Sequence, residues 1–463
     1  MKINKIPKSP AWWLLLGPAF VWAATAQGSG ELIWWPYLVA RYGKAFLFLL
    51  IPAAFIQIFV NKEISKYTVI TGKGIWTGFV SLGKWYVIPL FFLCLINFLW
   101  LGGYASAGGS SIYEVTRFPN GVSQQIGSLF WSYILIGLFS LGLLFSKSIY
   151  NFIEVIMKTV TVITVSGLVV SAIIVSTGTS FWEFIDGLFN PRNLAIGVNW
   201  EGFDYAQLIS GVVFAGMGGF LNLMYSYWMK DKGVGMAKYE NKTSGLLIKE
   251  TGTEREMEVF EDNIENRKNF KSWMRYLTID STLAVTINAL TIVLTSYLAF
   301  VLLWPERNYP QGWSITVSQA SFFESSFGAI GRIVFLLVAA AFLVDTWISV
   351  VDGVARQFAD FSNNITKKVK SFKFWYSGWV IFLIVISLAT LPLATPEFLL
   401  KTTGVISVFA FVFYIPALWY LNYIKLPNIY PKFVKSGKIS EGMLVVSWIV
   451  YTSLAVWYLA NIF

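Results

Sequence analysis

The sequence predicts an all-α integral membrane protein that crosses the bilayer about eleven times. Three observations predict it. Hydrophobic residues fill 56% of the 463 positions and charged residues only 13%, at a mean hydropathy of +0.61, whereas a soluble domain of this size carries about a quarter of its residues as charges. Apolar runs of roughly 20 residues or more recur along the chain, each long enough to cross a hydrocarbon core of about 30 Å as a helix; barrel strands need about half that length. Most of the 35 Lys and Arg residues fall in the N-terminal tail and in alternate loops, the asymmetry of a multi-spanning chain.

The spans are read at about 11–42, 44–70, 85–112, 127–146, 149–178, 203–230, 276–303, 327–355, 374–393, 395–422 and 441–462. The first follows Lys2, Lys5 and Lys8, a charged start like that of a signal peptide. It is too long for one and lacks a small-residue cleavage site, so it is read as a spanning helix. Span 3 holds Gly102-Gly103 and Gly108-Gly109, small residues that let helices pack closely. It also holds Cys94, the one cysteine, so there is no disulfide framework and no cysteine-based metal cluster. In span 5, Glu154 and Lys158 stand one turn apart and can pair. The stretch from Asp231 to about Arg275 is polar and reads as a cytoplasmic loop, helical through Arg255 to Trp273, that links two halves. Span 8 carries Asp345 and Asp352, seven apart and therefore on one helix face, and Arg332, which is expected to snorkel outward. Tryptophans such as Trp12, Trp13, Trp34 and Trp35 are expected in the interfacial belt. Spans 1–5, about 11–178, and spans 6–10, about 203–422, are read as two repeats of one transmembrane domain, with 441–462 as an extra helix.

Several function classes are excluded by the same residues. A net charge of +10 needs no nucleic-acid partner, because basic cytoplasmic loops account for it. The positive-inside rule puts the N-terminus in the cytoplasm and, with an odd span number, the C-terminus outside a plasma membrane. Histidine is absent, which removes the commonest transition-metal ligand and leaves any proton coupling to carboxylates. No Gly-x-x-x-x-Gly-Lys-Ser/Thr loop is present, which argues against an ATP-driven pump. Nothing in the chain reads as an enzyme or calls for a bound cofactor.

Two spans are interrupted by glycine, and they stand five helices apart. Span 1 contains Ala26-Gln27-Gly28-Ser29-Gly30-Glu31, and span 6 contains Ala215-Gly216-Met217-Gly218-Gly219. Glycine weakens a helix interior by about 1 kcal/mol relative to alanine, so such clusters predict unwound segments. Unwound backbone at mid-membrane depth must be buried in protein or line a watery cavity. Broken helices in corresponding positions of two halves mark the substrate site of a secondary transporter. Glu31 strengthens that expectation, since an ionisable group at mid-span is a functional hypothesis by default.

From Gly17-Pro18-Ala19 through Arg41-Tyr42-Gly43 to Ile70-Thr71-Gly72-Lys73, the chain resembles the Nramp divalent-metal transporters, as a divergent member. Further matches are Glu154, Asp280 with Asn288, and the span after Phe327. The resemblance implies an inverted-repeat (5+5) fold of eleven or twelve helices with the first and sixth broken, and transport of a divalent cation coupled to protons. The departures fall on the ligands. The family's Asp-Pro-Gly-Asn becomes Gly28-Ser29-Gly30-Glu31, and its Met-Pro-His becomes Met217-Gly218-Gly219. Acidic positions of the third helix become Gly103 and Ser106, and the helix-10 glutamine has no counterpart beyond Gln357.

The remaining groups can still make a cation site. Glu31, a hydroxyl from Ser29, unwound carbonyls around Ala26, Gln27, Phe214 and Gly216, and the sulfur of Met217 supply hard oxygens and one soft thioether. In this reading the metal ligands are Glu31 and Met217, with Gly28, Ser29, Gln27 and Gly216 around them, and the divalent cation is cargo. Asp345, Asp352 and Glu154 are the coupling candidates, for a proton or sodium. The alternative is a sodium- or proton-coupled transporter of a small organic solute, held by half-helix N-termini in a pocket lined by Trp22, Phe220 and Tyr225. A non-transporting sensor that signals through the 231–275 loop is a third class.

Overall fold

The computed structural model describes residues 2–3, 5–15, 17–28, 30–145, 149–195, 198, 200, 202–240, 258–367, 370–435 and 437–463; at 2, 3, 12, 14, 31, 144–145, 149–160, 195 and 258 it describes the backbone alone. The regular structure of the described residues is helical, apart from a two-residue parallel pairing of Lys2–Ile3 with Glu258–Val259. In chain order the helices are α1 (Gly17–Gln27), α2 (Trp35–Tyr42), α3 (Leu50–Thr71), α4 (Ile75–Val80), α5 (Lys84–Asn97), α6 (Gly102–Thr116), α7 (Gln124–Phe145), α8 (Ile149–Val175), α9 (Gly178–Phe189), α10 (Tyr205–Val213), α11 (Tyr225–Lys232), α12 (Ile264–Leu298), α13 (Ser321–Ile365), α14 (Phe372–Thr390), α15 (Pro396–Tyr420), α16 (Leu426–Ile429) and α17 (Lys438–Ile462).

Among the described residues, eight helical stretches are long and apolar enough to cross a membrane. Two of the other expected spans are each built as a pair of short helices. Span 1 is α1 and α2 with a π-helical turn, Gly30–Trp34, between them. Span 6 is α10 and α11 with a 3-10 turn at Gly219–Met224. The fifth span is the continuous helix α8. This is a multi-pass α-helical membrane protein, in agreement with the composition, and its first and sixth spans are broken where the glycine clusters predicted.

Long α13 is the spine. It packs against α6, α14 and α8, while α3 lies on α12 and α15 on α17 and α10. The span-3 glycines are packing positions, as expected. A Cβ on Gly103 would crowd Leu399 and Leu400, and one on Gly108 would press Val344. Span 7 is longer than its apolar core, because α12 begins at Ile264, where Asn263 caps it by accepting from the Asn266 amide at 2.8 Å. The expected polar loop is therefore helical from Ile264, and residues 241–257 within it lie outside the described residues.

Two expectations for surface residues are corrected. Trp34 and Trp35 are fully buried rather than interfacial, because the break turns them into the protein; Trp13 is exposed as expected. Arg332 does not snorkel free. It donates to Glu324 and Glu114, each at 2.9 Å, so two carboxylates hold it beside α6.

Candidate substrate site

The two breaks face each other. α1 ends at Gln27, so its last carbonyls have no intrahelical donor, and Gly28 follows in a turn packed under Thr346 of α13. Thr346 Oγ1 donates to the Thr25 carbonyl at 3.4 Å. Beyond the gap, Gly30 lies against the Phe214 carbonyl, so closely that a Cβ there would collide with it. In the sixth span, α10 ends at Val213, and Gly218 and Gly219 take φ of +85° and +52°. Consecutive left-handed residues suit glycine and little else, so this dipeptide stops the helix and re-aims it into α11.

Unwound backbone in a membrane interior needs partners, and amide side chains from neighbouring spans provide them. Gln57 of α3 donates to the Val213 carbonyl at 2.7 Å and accepts from Asn222 Nδ2 at 3.2 Å. Asn288 of α12 donates to the Ala215 carbonyl at 3.1 Å. On the first break, Gln319 Nε2 donates to the Leu32 carbonyl at 2.5 Å. Gln27 itself bridges two spans, donating to Thr291 Oγ1 and accepting from Thr161 Oγ1, both at 3.4 Å. Neutral amides and hydroxyls therefore surround both breaks. Beside Gln27, a cavity of about 10 Å³ is lined by Leu32, Thr164, Thr291, Thr295 and Phe342 among others, room for about one water.

The buried acids divide by their partners. Asp280 accepts from Tyr225 and, at 3.3 Å, from Tyr276. Glu63 accepts from Ser440 at 2.7 Å, Asn422 at 2.9 Å and Lys66 at 3.4 Å. Asp360 accepts from Tyr227 at 2.8 Å, from the Thr77 hydroxyl at 2.7 Å and from Asn364 at 2.8 Å. Asp352 accepts from Arg356 Nε at 2.9 and 3.0 Å and from Tyr376 at 2.7 Å, and Arg356 also donates to Asp231. Asp345 differs. It is 2% exposed, and neither carboxylate oxygen has a hydrogen-bond partner among the described residues. The Ser349 hydroxyl, one turn along, is likewise without one.

Similar folds are known. The structure superimposes on the Eremococcus coleocola manganese transporter with a TM-score of 0.65 at 10% identity, covering 98% of this chain and 88% of that one. It also matches MhsT in complex with L-phenylalanine (TM-score 0.57, 12% identity, 96% of this chain and 98% of that one). MHP1, a nucleobase-cation-symport-1 family transporter solved with bromovinylhydantoin bound, matches at 0.50 and 11% identity over 96% and 93% of the two chains. The chain has the fold of these transporters. No protein-family model and no curated protein matches the sequence.

Of the residues predicted for the site, the structure brings Gln27, Gly28, Gly216 and Met217 to the two breaks, all buried. Ser29 lies outside the described residues, and of Glu31 only the backbone is described, in the π-helical turn. The side chain of Glu154 is likewise outside them. Among the described residues no group of three or more His, Cys, Asp or Glu could hold a metal ion. Trp22, Phe220 and Tyr225, expected around an organic solute, are all buried; Tyr225 donates to Asp280, and the Phe220 ring lies 6.2 Å from that of Tyr414. Asp352, expected as a coupling candidate, is buried in an ion pair with Arg356. Sequence reasoning missed Gln57, Asn222 and Arg356. The signal for the first was available, because α3 carries Gln57, Asn61, Glu63 and Lys66 inside a membrane span, and polar groups there imply buried partners.

Proposed function

We propose that this protein is an alternating-access secondary transporter whose substrate binds between the breaks of the first and sixth spans. The observation that carries the reading is their apposition, with Gly30 against the Phe214 carbonyl and the freed carbonyls held by Gln57, Asn288 and Gln319. Broken helices leave backbone oxygens and helix ends free to exchange water for a solute at mid-membrane depth. The bundle containing the first and sixth spans rocks against the rest, and the site faces each side in turn. The N-terminal tail lies in the cytoplasm of a cell whose plasma membrane the chain spans, a reading supported by the basic tail and loops.

The leading substrate is a divalent cation, with Glu31 and Met217 as ligands and Gly28, Ser29, Gln27 and Gly216 around it. Support comes from the fold shared with a manganese transporter and from the acid and thioether carried at the two breaks. Asp345 is the coupling group. A carboxylate with no donor in a membrane interior is costly, so its charge is offset by a co-transported proton or sodium ion. A small organic solute is the second reading. It is favoured by the neutral amides and hydroxyls around the breaks and by the lack of an acid cluster among the described residues.

Uptake into proteoliposomes distinguishes the two. The panel is manganese, cadmium, magnesium and calcium beside amino acids and nucleobases, for the native protein, Glu31→Gln and Met217→Ala. Metal flux lost in Glu31→Gln supports the cation site, and selective loss of cadmium over magnesium in Met217→Ala makes the sulfur a ligand. Organic flux with no metal flux overturns the cation reading.

A further inference from the structure

The inner half of the sixth span, α11, is only eight residues long, too short to hold its place by its own helical stability. It is fastened to α13 by a buried polar ladder. Tyr227 and Asp231, one turn apart on α11, meet Asp360 and Arg356, one turn apart on α13, in reverse order. Each side is braced. Tyr376 of α14 donates to Asp352 at 2.7 Å, Arg356 Nε forks onto the same carboxylate, and Thr77 of α4 donates to Asp360 through its amide at 3.1 Å and its hydroxyl at 2.7 Å. Arg356 and Asp352 are at most 1% exposed and Asp231 3%.

From this geometry we infer that Arg356 is the latch of the transport cycle, which holds the inner half of the sixth span closed and must release Asp231 before the site opens on the side of the N-terminal tail. The inference rests on the transport reading above. That the ladder lies at the tail's face follows from the chain: α11 packs beside α1, Tyr276 of α12 donates to Met229 Sδ of α11 at 3.8 Å, and the tail docks on α12, where Trp273 donates to the Pro7 carbonyl at 2.7 Å.

An ion pair suits a gate better than an apolar seam. In a buried pair the Coulomb attraction and the desolvation cost nearly cancel, and both charges regain water when the pair opens. The closed and open states therefore lie close in free energy, and a bound solute can tip the balance. A purely structural tie would make the opposite demand, since it must never open. Removal of Arg356 penalises the closed state selectively: it takes from Asp231 and Asp352 the cation they share and leaves two like charges buried on either side of its place, a repulsion that water relieves only in the open state. Neutralising both acids along with the arginine removes that repulsion.

The test needs no substrate. Met224 is fully buried and packs against Gly353 of α13, one residue from Asp352. In a Cys94→Ser background, Met224→Cys reports access from the tail side through its rate of reaction with a membrane-impermeant maleimide. Arg356→Met is expected to raise that rate at least tenfold, and adding Asp231→Asn and Asp352→Asn to it is expected to bring the rate back toward the parent. Tyr227→Phe removes the second rung and Tyr376→Phe one brace; each is expected to raise it about threefold, and both serve if Arg356→Met does not yield monodisperse protein. Rates within twofold of the parent in the monodisperse variants overturn the latch. So does a raised rate that the neutral triple variant fails to lower, because that reports lost packing. Fast labelling in a protein that moves no solute leaves the latch standing and sinks the transport reading, whereas normal flux with unchanged labelling sinks the latch alone.

Discussion

Gln57 tests how the broken sixth span is held. Its side chain donates to the Val213 carbonyl at 2.7 Å and accepts from Asn222 at 3.2 Å, with every polar atom of Gln57 buried. Gln57→Leu keeps much of the volume and removes both bonds. An unsatisfied buried polar group costs about 1–3 kcal/mol in a water-soluble protein, which for two groups gives about 2–6 kcal/mol. Inter-helical hydrogen bonds in a membrane average nearer 0.6 kcal/mol and reach about 1.7, because the unfolded chain in lipid finds other partners. The lower scale governs here, so the expected loss is about 1–3 kcal/mol, read from the SDS unfolding curve of the protein in bicelles. Asn288→Leu strips the donor from the Ala215 carbonyl, two residues along the same segment. The two substitutions act on one stretch of backbone, so the double variant is expected to lose less than the sum by about 0.5 kcal/mol or more. A Gln57→Leu protein within about 0.5 kcal/mol of the native one, or strict additivity in the cycle, would refute the claim that these amides hold the break open.

Gly30→Ala places a methyl group against the Phe214 carbonyl; overpacking of that kind costs about 1–3 kcal/mol, and flux should vanish while the purified protein stays monodisperse. Retained flux contradicts a substrate site at that contact. Asp345→Asn should free transport from its driving gradient: uptake driven by a pH or sodium gradient is lost while solute exchange persists, and unchanged gradient dependence removes Asp345 from coupling. At the membrane surface, hydrogen bonds from Lys44, then from Asn190 and Asn193, hold the Asp186 carboxyl well below its ordinary range. A depressed value stabilises the folded form above the unfolded value near pH 4 and loses that contribution as pH falls further. Proteolysis between α9 and α10 should therefore accelerate in acid below that point, and Asp186→Asn should abolish the acceleration; equal acid sensitivity in both proteins contradicts it.

Much of the fold was legible because hydropathy and glycine act locally. Apolar length alone marked α3, α7 and α14, and the Gly28/Gly30 and Gly216/Gly218 clusters marked the two breaks, since repeated glycine weakens a helix interior and, at Gly218 and Gly219, takes the left-handed φ that ends it. The partners of the unwound backbone were not legible. Gln57 lies far from Val213 in sequence, and only the packing of α3 on the sixth span brings its amide there. Asp352 illustrates the same limit. Its place on one face with Asp345 followed from helical spacing, but its neutralisation depends on Arg356 and on Tyr376 from another helix. Trp34 and Trp35 were misread because a break reverses which side of a helix meets lipid, and belt position assumes an unbroken one.

The most direct measurement is counterflow of radiolabelled manganese into sealed proteoliposomes that are either empty or preloaded with unlabelled manganese, run beside labelled phenylalanine under the same conditions. Alternating access through one site predicts that preloading accelerates entry of the solute carried, because the loaded site returns faster than the empty one. Entry that preloading does not accelerate, or no entry of either solute by monodisperse protein, would contradict it.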